Sequence, residues 1–386
     1  MSGAPKTYGW CPGALRPMMS GDGLVVRLRA PMGRLSPEQA RGVADLSESH
    51  GNGLLDLSAR ANLQMRGIPE EGHAALLDGL RDLKLLDRDE AAESRRNIML
   101  TPFWSGGDSS ARIARDLEKA LTRATDLKLP GKFGFAVDCG PTPVLRDAAA
   151  DIRIERGPSG LFLRPDGAAS GLPVCQETAA TEALKLAHWF LETGGAPNGR
   201  GRMKAHLAKG TALPQSYRES PLGTGPHPAP GATSRGYMVA FEFGQISASS
   251  LKHLADQGAL RLTPWRMLLV EGASQMAPLP GLILEATDPR LRVSACTGAP
   301  GCLQALSATR DLARDLAPHV PEGAHLHVSG CAKGCAHPGP APLTLTATGH
   351  DTFTLIRNAT AADQPLEPPL SARSLRAAPE RLTEGS

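Results

Sequence analysis

The sequence predicts an α+β chain whose halves repeat one another about a pseudo-two-fold axis. Three observations carry this. A strand–helix–strand–strand pattern occurs twice, with Leu55–Gly67 (L-D-L-S-A-R-A-N-L-Q-M-R-G) echoed by Leu260–Gly272 (L-R-L-T-P-W-R-M-L-L-V-E-G). A Pro- and Gly-rich stretch, 220–235, lies between the copies and reads as a linker. Four cysteines gather late, in S-A-C-T-G-A-P-G-C (Ser294–Cys302) and C-A-K-G-C-A-H-P (Cys331–Pro338). Repetition of a supersecondary unit implies duplication, and the two copies are expected to share one sheet.

The elements follow in order. Gly23–Arg29 alternates as a strand, with Val26 and Leu28 on one side and Arg27 and Arg29 on the other. Ser36-Pro37-Glu38-Gln39 is a capping box with proline at the first helical position, so a helix is expected to about His50, stopped by Gly51-Asn52-Gly53. Leu54–Leu57 and Asn62–Arg66 read as strands and Pro69–Leu86 as an amphipathic helix. Beyond them come a strand at Arg95–Thr101, a helix at Ser109–Thr125, a strand at Leu129–Asp138, an apolar helix at Ala179–Leu191 and a helix start at Arg200–Lys204. The second copy supplies a strand at Met238–Phe243 and a helix at Ser247–Gln257. Leu303–Leu316 has helical periodicity, Ala324–Ser329 is strand-like, and strands are expected around Gly349-His350. The stretch from Asp363 onward shows no periodicity and reads as an extended or disordered tail.

The totals bound the function. Lys and Arg number 42 against 39 Asp and Glu, a net charge of +3 with no basic tract, which argues against a nucleic-acid partner. No run of about eighteen apolar residues suggests a membrane span, and Met1–Lys6 lacks the apolar core of a signal peptide. A cytoplasmic enzyme with free thiols is the expectation.

Four thiolates in glycine-rich loops have three readings. An iron–sulfur cubane needs four Cys donors with small residues between them. A structural zinc site favours C-x2-C knuckles, whereas here five residues separate Cys296 from Cys302 and three separate Cys331 from Cys335. Two disulfides sit poorly with an odd count of seven cysteines. Cys11, Cys139 and Cys175 show no partner spacing. On the third strand of the first copy, Arg60, Asn62 and Gln64 share a face, because strand side chains alternate. Their counterparts Trp265, Met267 and Leu269 are apolar. The polar comb is either a solvated face or one turned to an anionic ligand.

The cysteine pattern resembles the 4Fe-4S motif of the sulfite and nitrite reductase family, in which the last cysteine, here Cys335, also bridges to the iron of sirohaem. The resemblance implies duplicated ferredoxin-like half domains and two sulfite-reductase-type α/β domains. The expected boundaries are 8–86, 87–219, a linker at 220–235, 236–287, 288–360 with the cluster motif, and a tail at 361–386. V-R-L-R carries over Arg27 and Arg29; R-A-N-L-Q carries over Arg60 and Gln64; Arg96-Asn97 resembles a further family motif. L-P-G-K-F-G keeps Lys132, but Gly131 and Gly134 stand where the family has an Arg and a Lys. That Lys lines the family's anion pocket, so its absence counts against sulfite or nitrite reduction.

A uroporphyrin-type macrocycle carries eight carboxylates and calls for many guanidinium partners. Arg27, Arg60, Asn62, Gln64, Arg66, Asn97, Arg200 and Arg202 are expected to bind it, and Arg29, Arg96 and Lys132 to contact the reacting region. Any single arginine among these reads more readily as a surface residue; the case rests on the set. The opening G-W-C-P-G-A-L-R-P-M-M-S-G-D-G (Gly9–Gly23) narrows the resemblance to a branch acting in aerobic cobalamin biosynthesis. It implies precorrin-3A and O2 as substrates, electrons from NADH and a mononuclear non-haem iron. His325, His327 and His337 are candidate ligands for that iron, each of which also reads as structural. No G-x-G-x-x-G follows a strand, so a separate reductase is expected to deliver the electrons. A non-catalytic electron carrier or tetrapyrrole-binding protein is the reading from another class.

Overall fold

The computed structural model describes residues 12–383 apart from 215, 219, 222, 224, 366 and 367, so Gly9, Trp10 and Cys11 of the opening motif lie outside the described residues. Four modules follow one another. The first contains β1 (Met18–Ser20), β2 (Gly23–Leu28), β3 (Arg34–Leu35), α1 (Pro37–His50), β4 (Leu54–Leu57), β5 (Leu63–Ile68) and α2 (His73–Asp82). The second contains α3 (Glu90–Arg95), β6 (Ile98–Leu100), α4 (Ser109–Arg123), β7 (Phe135–Asp138), β8 (Ile152–Gly157), β9 (Gly160–Pro165), β10 (Leu172–Val174), α5 (Ala179–Glu192) and α6 (Met203–Leu207). The third contains β11 (Gly231–Thr233), β12 (Gly236–Phe241), β13 (Gln245–Ser247), α7 (Ala248–Gln257), β14 (Leu260–Leu262), β15 (Met267–Glu271) and β16 (Leu282–Ile283). The fourth contains β17 (Val293–Ala295), α8 (Arg310–Leu316), β18 (Leu326–Ser329), β19 (Ala341–Gly349), β20 (Thr352–Ala359), β21 (Leu370–Ser371) and α9 (Ala372–Ala377).

The repeat is real and extends further than the sequence suggested. β6, β7 and β8 run parallel and β9 and β10 return antiparallel; β17, β18 and β19 run parallel and β20 and β21 return antiparallel. The second and fourth modules therefore share one topology. Even the strained positions correspond, since Ala61 and Arg266 both adopt positive φ (52° and 60°) in the turn before the third strand.

The copies do not share one sheet. They form two, ordered β1-β2-β5-β4-β13 and β11-β12-β15-β14-β3, and each takes its last strand from the other copy. β13 pairs with β4 and β3 pairs with β14, both antiparallel. In each copy the short strand before the helix thus ends the neighbouring sheet instead of its own. Ser36 and Ser247 then cap α1 and α7 on the far side, and Ser36 makes the full capping box with Gln39. One apolar core spans both copies, including Val26, Leu55, Leu63, Met65, Ile246, Leu251, Leu260 and Val270.

Polar pairs tie the exchange. Arg34 on β3 grips Glu271 with two bonds (2.8 and 2.9 Å), and Arg261 donates to the same carboxylate at 2.5 Å. The Arg34 hydrogen bond, opposed by burial and supported by Arg261, holds the Glu271 carboxyl down at about 2.

Other expectations change. The Leu303–Leu316 helix shrinks to α8, because Leu303 is 74% exposed and the preceding residues are drawn into the cysteine loop. Three strands, β8 to β10, form where no periodicity was evident, since both faces of β8 are buried. The linker is tacked down, with Gly225 N donating to Pro143 O at 3.0 Å. The chain after Asp363 is not a loose tail: β21 extends the fourth sheet, and Leu375 on α9 is fully buried with Leu382 beside the same core. No helix among the described residues is long and apolar enough to cross a membrane.

Two predictions follow from this packing. Leu375→Ala is expected to destabilise the fourth module by about 2–5 kcal/mol, read as a lower urea midpoint; an unchanged midpoint would mean that α9 is dispensable. Because the folded pKa of Glu271 is depressed, its contribution is present above the unfolded value of 4.5 and is lost as pH falls toward about 2. Glu271→Gln is thus expected to cost about 1–2 kcal/mol at neutral pH, with the gap to the unsubstituted protein closing across that acid window in denaturation curves.

Candidate functional site

The two cysteine loops meet because their strands are neighbours. β17 and β18 run parallel, with Ala295 opposite Val328, so Cys296 and Cys331 leave the same carboxyl end of the sheet. The backbone then closes the loops around each other. Cys296 N donates to Val328 O (3.3 Å), Leu306 N to Gly330 O (2.8 Å), and the Thr309 hydroxyl to Cys296 O (2.7 Å). Gly330 N points at Cys296 Sγ, 3.2 Å away. All four cysteines are free thiols, and Cys331 is held above its usual range by burial first and then by Cys296 and Cys302, with Lys333 opposing.

Four mutually interacting thiols with a backbone N–H aimed at sulfur suit a 4Fe-4S cluster, which would bind them as thiolates and release their protons. Among the described residues, no three His, Cys, Asp or Glu side chains are disposed to hold a single metal ion. His325, His327 and His337 do cluster, with ring centroids 5.0 Å apart for His325–His337 and 5.8 Å for His327–His337. His325 bonds Ser294 Oγ and His337 bonds Pro340 O, while both ring nitrogens of the fully buried His327 have no protein partner. Burial, with neighbouring positive groups adding, keeps His325 and His327 neutral by lowering them to about 4.

Facing these loops is the polar face of the first sheet. Arg27, Gln64, Asp56 and Gln245 lie opposite one another across four strands. Arg27 donates twice to Gln64 Oε1 (3.1 and 2.6 Å), and Gln245 donates to Asp56 Oδ1 at 3.1 Å. Asn62 and Arg66 share this face by strand alternation, while Leu63 and Met65 enter the core behind it; Arg60 lies in the turn before β5, next to the positive-φ Ala61. The equivalent face of the second sheet is closed instead: Met238, Met267, Leu269 and Ile283 pack with Phe103 and Trp265.

Arg29 carries the first face into an open cleft of about 300 Å3, where it lies with Arg16, Glu93, Gly131 and Arg200. Arg29 is ion-paired to Glu93 at 3.2 Å. Burial lowers the Arg29 pKa, with Glu93 opposing, and burial raises that of Glu93. Two donors on this face, Arg29 Nε and Asn62 Nδ2, are buried without a hydrogen-bond partner. Such orphaned donors are costly unless a ligand satisfies them, and carboxylates of a macrocycle would do so.

The remaining expected residues are placed as follows. Arg200 lies exposed on the cleft rim, and Lys132 is half-buried beside Gly131. Arg96 is clamped by Asp87 (2.7 and 2.8 Å) and donates to Arg29 O at 2.7 Å, so it supports the Arg29 strand from behind. Asn97 donates to Phe133 O at 3.0 Å, and a Cβ on Gly134 would meet its Nδ2 at 2.6 Å. Arg202 is held by the buried Asp151 at 2.9 Å. Arg66 turns away from the cleft to Asp22, Asp56 and the carbonyl of Gly301. Residues overlooked in the sequence are Glu93, the acidic partner of Arg29, and Arg16; neither carries a local signal, since Arg16 is the one charge between Lys6 and Asp22 and Glu93 sits in an ordinary acidic helix start.

The architecture defines the class, a nitrite/sulfite reductase-type fold of duplicated half domains. Residues 16–83 match the family model of the nitrite/sulfite reductase ferredoxin-like half domain. The Mycobacterium tuberculosis NirA protein superposes with a TM-score of 0.62 over 94% of this chain and 82% of that one, at 19% identity. Within the class, the chain resembles precorrin-3B synthase: it is 27% identical to that of Sinorhizobium sp over 89% of this chain and 81% of the relative. It is 23% identical to the chloroplastic ferredoxin–nitrite reductase of Zea mays, covering 81% of this chain and 67% of that protein.

The four-cysteine site gives a direct prediction. Cys→Ala at 296, 302, 331 or 335 is expected to abolish iron and labile sulfide after anaerobic reconstitution, whereas Cys139→Ala keeps both; retention of full iron in any of the first four would remove that residue from the ligand set.

Proposed function

We propose that the chain acts as a precorrin-3B synthase, a cytoplasmic monooxygenase of aerobic cobalamin biosynthesis. The observation that carries this is the similarity to the Sinorhizobium enzyme along 89% of the chain. Two features of the geometry fit it: Arg29 and Asn62 keep orphaned donors, and Arg29 lines an open cleft with Arg16 and Arg200. In the proposed reaction, precorrin-3A is hydroxylated at the meso carbon between rings A and D, and the ring A acetate closes a γ-lactone. One oxygen atom of O2 enters the macrocycle and the other leaves as water, with two electrons from NADH delivered through a separate reductase.

Each part of the chain then has a task. A 4Fe-4S cluster held by Cys296, Cys302, Cys331 and Cys335 supplies single-electron transfer when bound. Arg27, Arg29, Arg60, Asn62, Gln64 and Arg200 hold the carboxylates of the macrocycle by charge-assisted hydrogen bonds. Holding the ring at several carboxylates fixes which meso carbon is presented, a positioning effect worth several kcal/mol. Gly131 keeps the cleft wall free of a long side chain, and Asn97 fills the room that a side chain at 134 would need. Glu93 keeps Arg29 oriented toward the ligand.

A second reading, a sirohaem-dependent nitrite or sulfite reductase, is favoured by the similarity to the Zea mays nitrite reductase. There the macrocycle would be a resident cofactor bridged through Cys335. One experiment separates the two. Protein purified without oxygen is expected to show a broad cluster shoulder with no Soret or red band, and to convert precorrin-3A to the hydroxylactone once O2 and reductant are supplied. Strong sirohaem bands with nitrite consumption would establish the second reading instead. A cluster-bearing protein that binds the macrocycle without product would mark a carrier.

A further inference from the structure

We infer that Arg66 serves the cluster and not the macrocycle: together with Ser20 and Gly21 it clamps the Gly301 carbonyl of the Cys296–Cys302 loop, and its charge sets the reduction potential of the cluster. This rests on the reading that the four cysteines hold a 4Fe-4S cluster. The cysteine pattern alone says nothing of what lies against the loop, and residue 66 is 235 positions away from it in sequence.

Three donors converge on one acceptor. Arg66 Nη2 lies 3.0 Å from Gly301 O, Ser20 Oγ 2.7 Å and Gly21 N 3.2 Å. The contact is built for close approach, since a Cβ on Gly21 would sit 2.2 Å from Pro300 O. Gly301 directly precedes Cys302, so the clamp fixes the backbone that carries one sulfur ligand.

The charge is held in place from both sides. Arg66 bonds Asp22 through Nε (2.9 Å) and Nη2 (2.8 Å), and Asp56 through Nη1 (3.1 Å). Its side chain is only 6% exposed, so water screens it little. Asp56 is further bound by Arg310 at 3.3 Å, one residue past Thr309, whose hydroxyl holds Cys296 O. The network therefore touches the first cysteine loop at both of its ends. Fixed charge and hydrogen bonding near a cluster are the means by which a protein tunes its potential. Reduction adds negative charge, so a buried guanidinium favours the reduced form and a buried carboxylate opposes it.

The second half of the chain contains the same device without cysteines. Arg261 and Glu271 stand at the repeat positions of Asp56 and Arg66, with the charges exchanged. Arg261 donates to Pro102 O (2.7 Å) and Trp104 O (2.6 Å), in the loop after β6 that corresponds to the loop after β17. Each half thus grips the loop of the opposite half by its carbonyls, which marks Arg66 as a loop clamp by position as well as by contact.

The test is a redox titration of the cluster-loaded protein followed by electron paramagnetic resonance. Arg66→Gln is expected to shift the midpoint potential negative, and Asp22→Asn to shift it positive. Loosening of the loop alone would move both in one direction, so opposite signs are diagnostic of charge. Should Arg66→Gln fail to retain its cluster, Ser20→Ala and Asp22→Asn are read instead: the first is expected to speed loss of iron to a chelator, the second to give the positive shift. Clusters that form in both charge variants with unmoved potentials, or with shifts of one sign, would overturn the inference while leaving the site reading intact. Absence of a cluster from the unsubstituted protein would sink the site reading, and the inference with it.

Discussion

The reciprocal exchange of β3 and β13 is the constraint on which the rest of the molecule depends. Neither half can complete its sheet alone, because each edge next to β4 and β14 is paired by a strand from the other copy. Leu35 and Ile246, carried in on those strands, are almost fully buried in the common core. An open edge there would expose unpaired backbone groups over apolar side chains, which is unfavourable in water and an invitation to misassembly. The exchange therefore fixes the two sheets against each other, and with them the α/β modules that follow. The meeting of cysteine loop and polar sheet face is a consequence of that fixed geometry.

Duplication gives the chain two equivalent sheet faces and two equivalent loops, and the side chains make them unlike. At one place the row across the sheet reads Arg27, Gln64, Asp56 and Gln245; at the other Met238, Leu269, Arg261 and Arg34. The second row is satisfied within the protein: Met238 and Leu269 pack with Phe103 and Ile283, and both arginines bond Glu271. The first row bonds within itself, and the orphaned donors lie beside it, at Arg29 and Asn62. The loops differ in the same sense: one carries Cys296 and Cys302, the other Phe103 and Trp104, with the Trp104 ring 4.3 Å from the Arg261 guanidinium carbon. One half of the scaffold is spent on packing and the other is left open for chemistry, a division that a single unduplicated unit could not provide.

Much of this was legible in the sequence wherever a signal was local. The capping box at Ser36–Gln39, the alternation of Val26 and Leu28 against Arg27 and Arg29, and the paired cysteines all depend on neighbours in the chain. The repeat was legible too, because Leu55–Gly67 and Leu260–Gly272 keep the same spacing. What escaped was decided at long range. The exchange of strands depends on where a short segment ends in space, and β3 has only two residues. Leu303 and Leu306 mimic a helix face, yet the hydrogen bonds of the cysteine loop outweigh local propensity there. Leu375 and Leu382 are too widely spaced in a polar stretch to announce a buried helix. Arg66 shares a face with Asn62 and Gln64, so alternation gave its direction but not its target.

The open half carries a cost that the fold itself does not offset. A buried guanidinium nitrogen and a buried amide without partners, at Arg29 and Asn62, each lower stability by about 1–3 kcal/mol relative to a satisfied donor. The burial that lowers the Arg29 pKa adds to the strain, and Glu93 relieves it only in part, because that carboxylate is itself disfavoured by burial. Replacing this set with the leucine and methionine of the other half would be the stabilising choice on packing grounds. Two orphaned donors, Arg29 Nε and Asn62 Nδ2, together with the disfavoured Arg29–Glu93 pair, are the pattern expected where a ligand supplies the missing acceptors. Carboxylates of the proposed ligand would accept from both the arginine and the amide donor, while Glu93 already accepts from Ala14 N and Leu15 N.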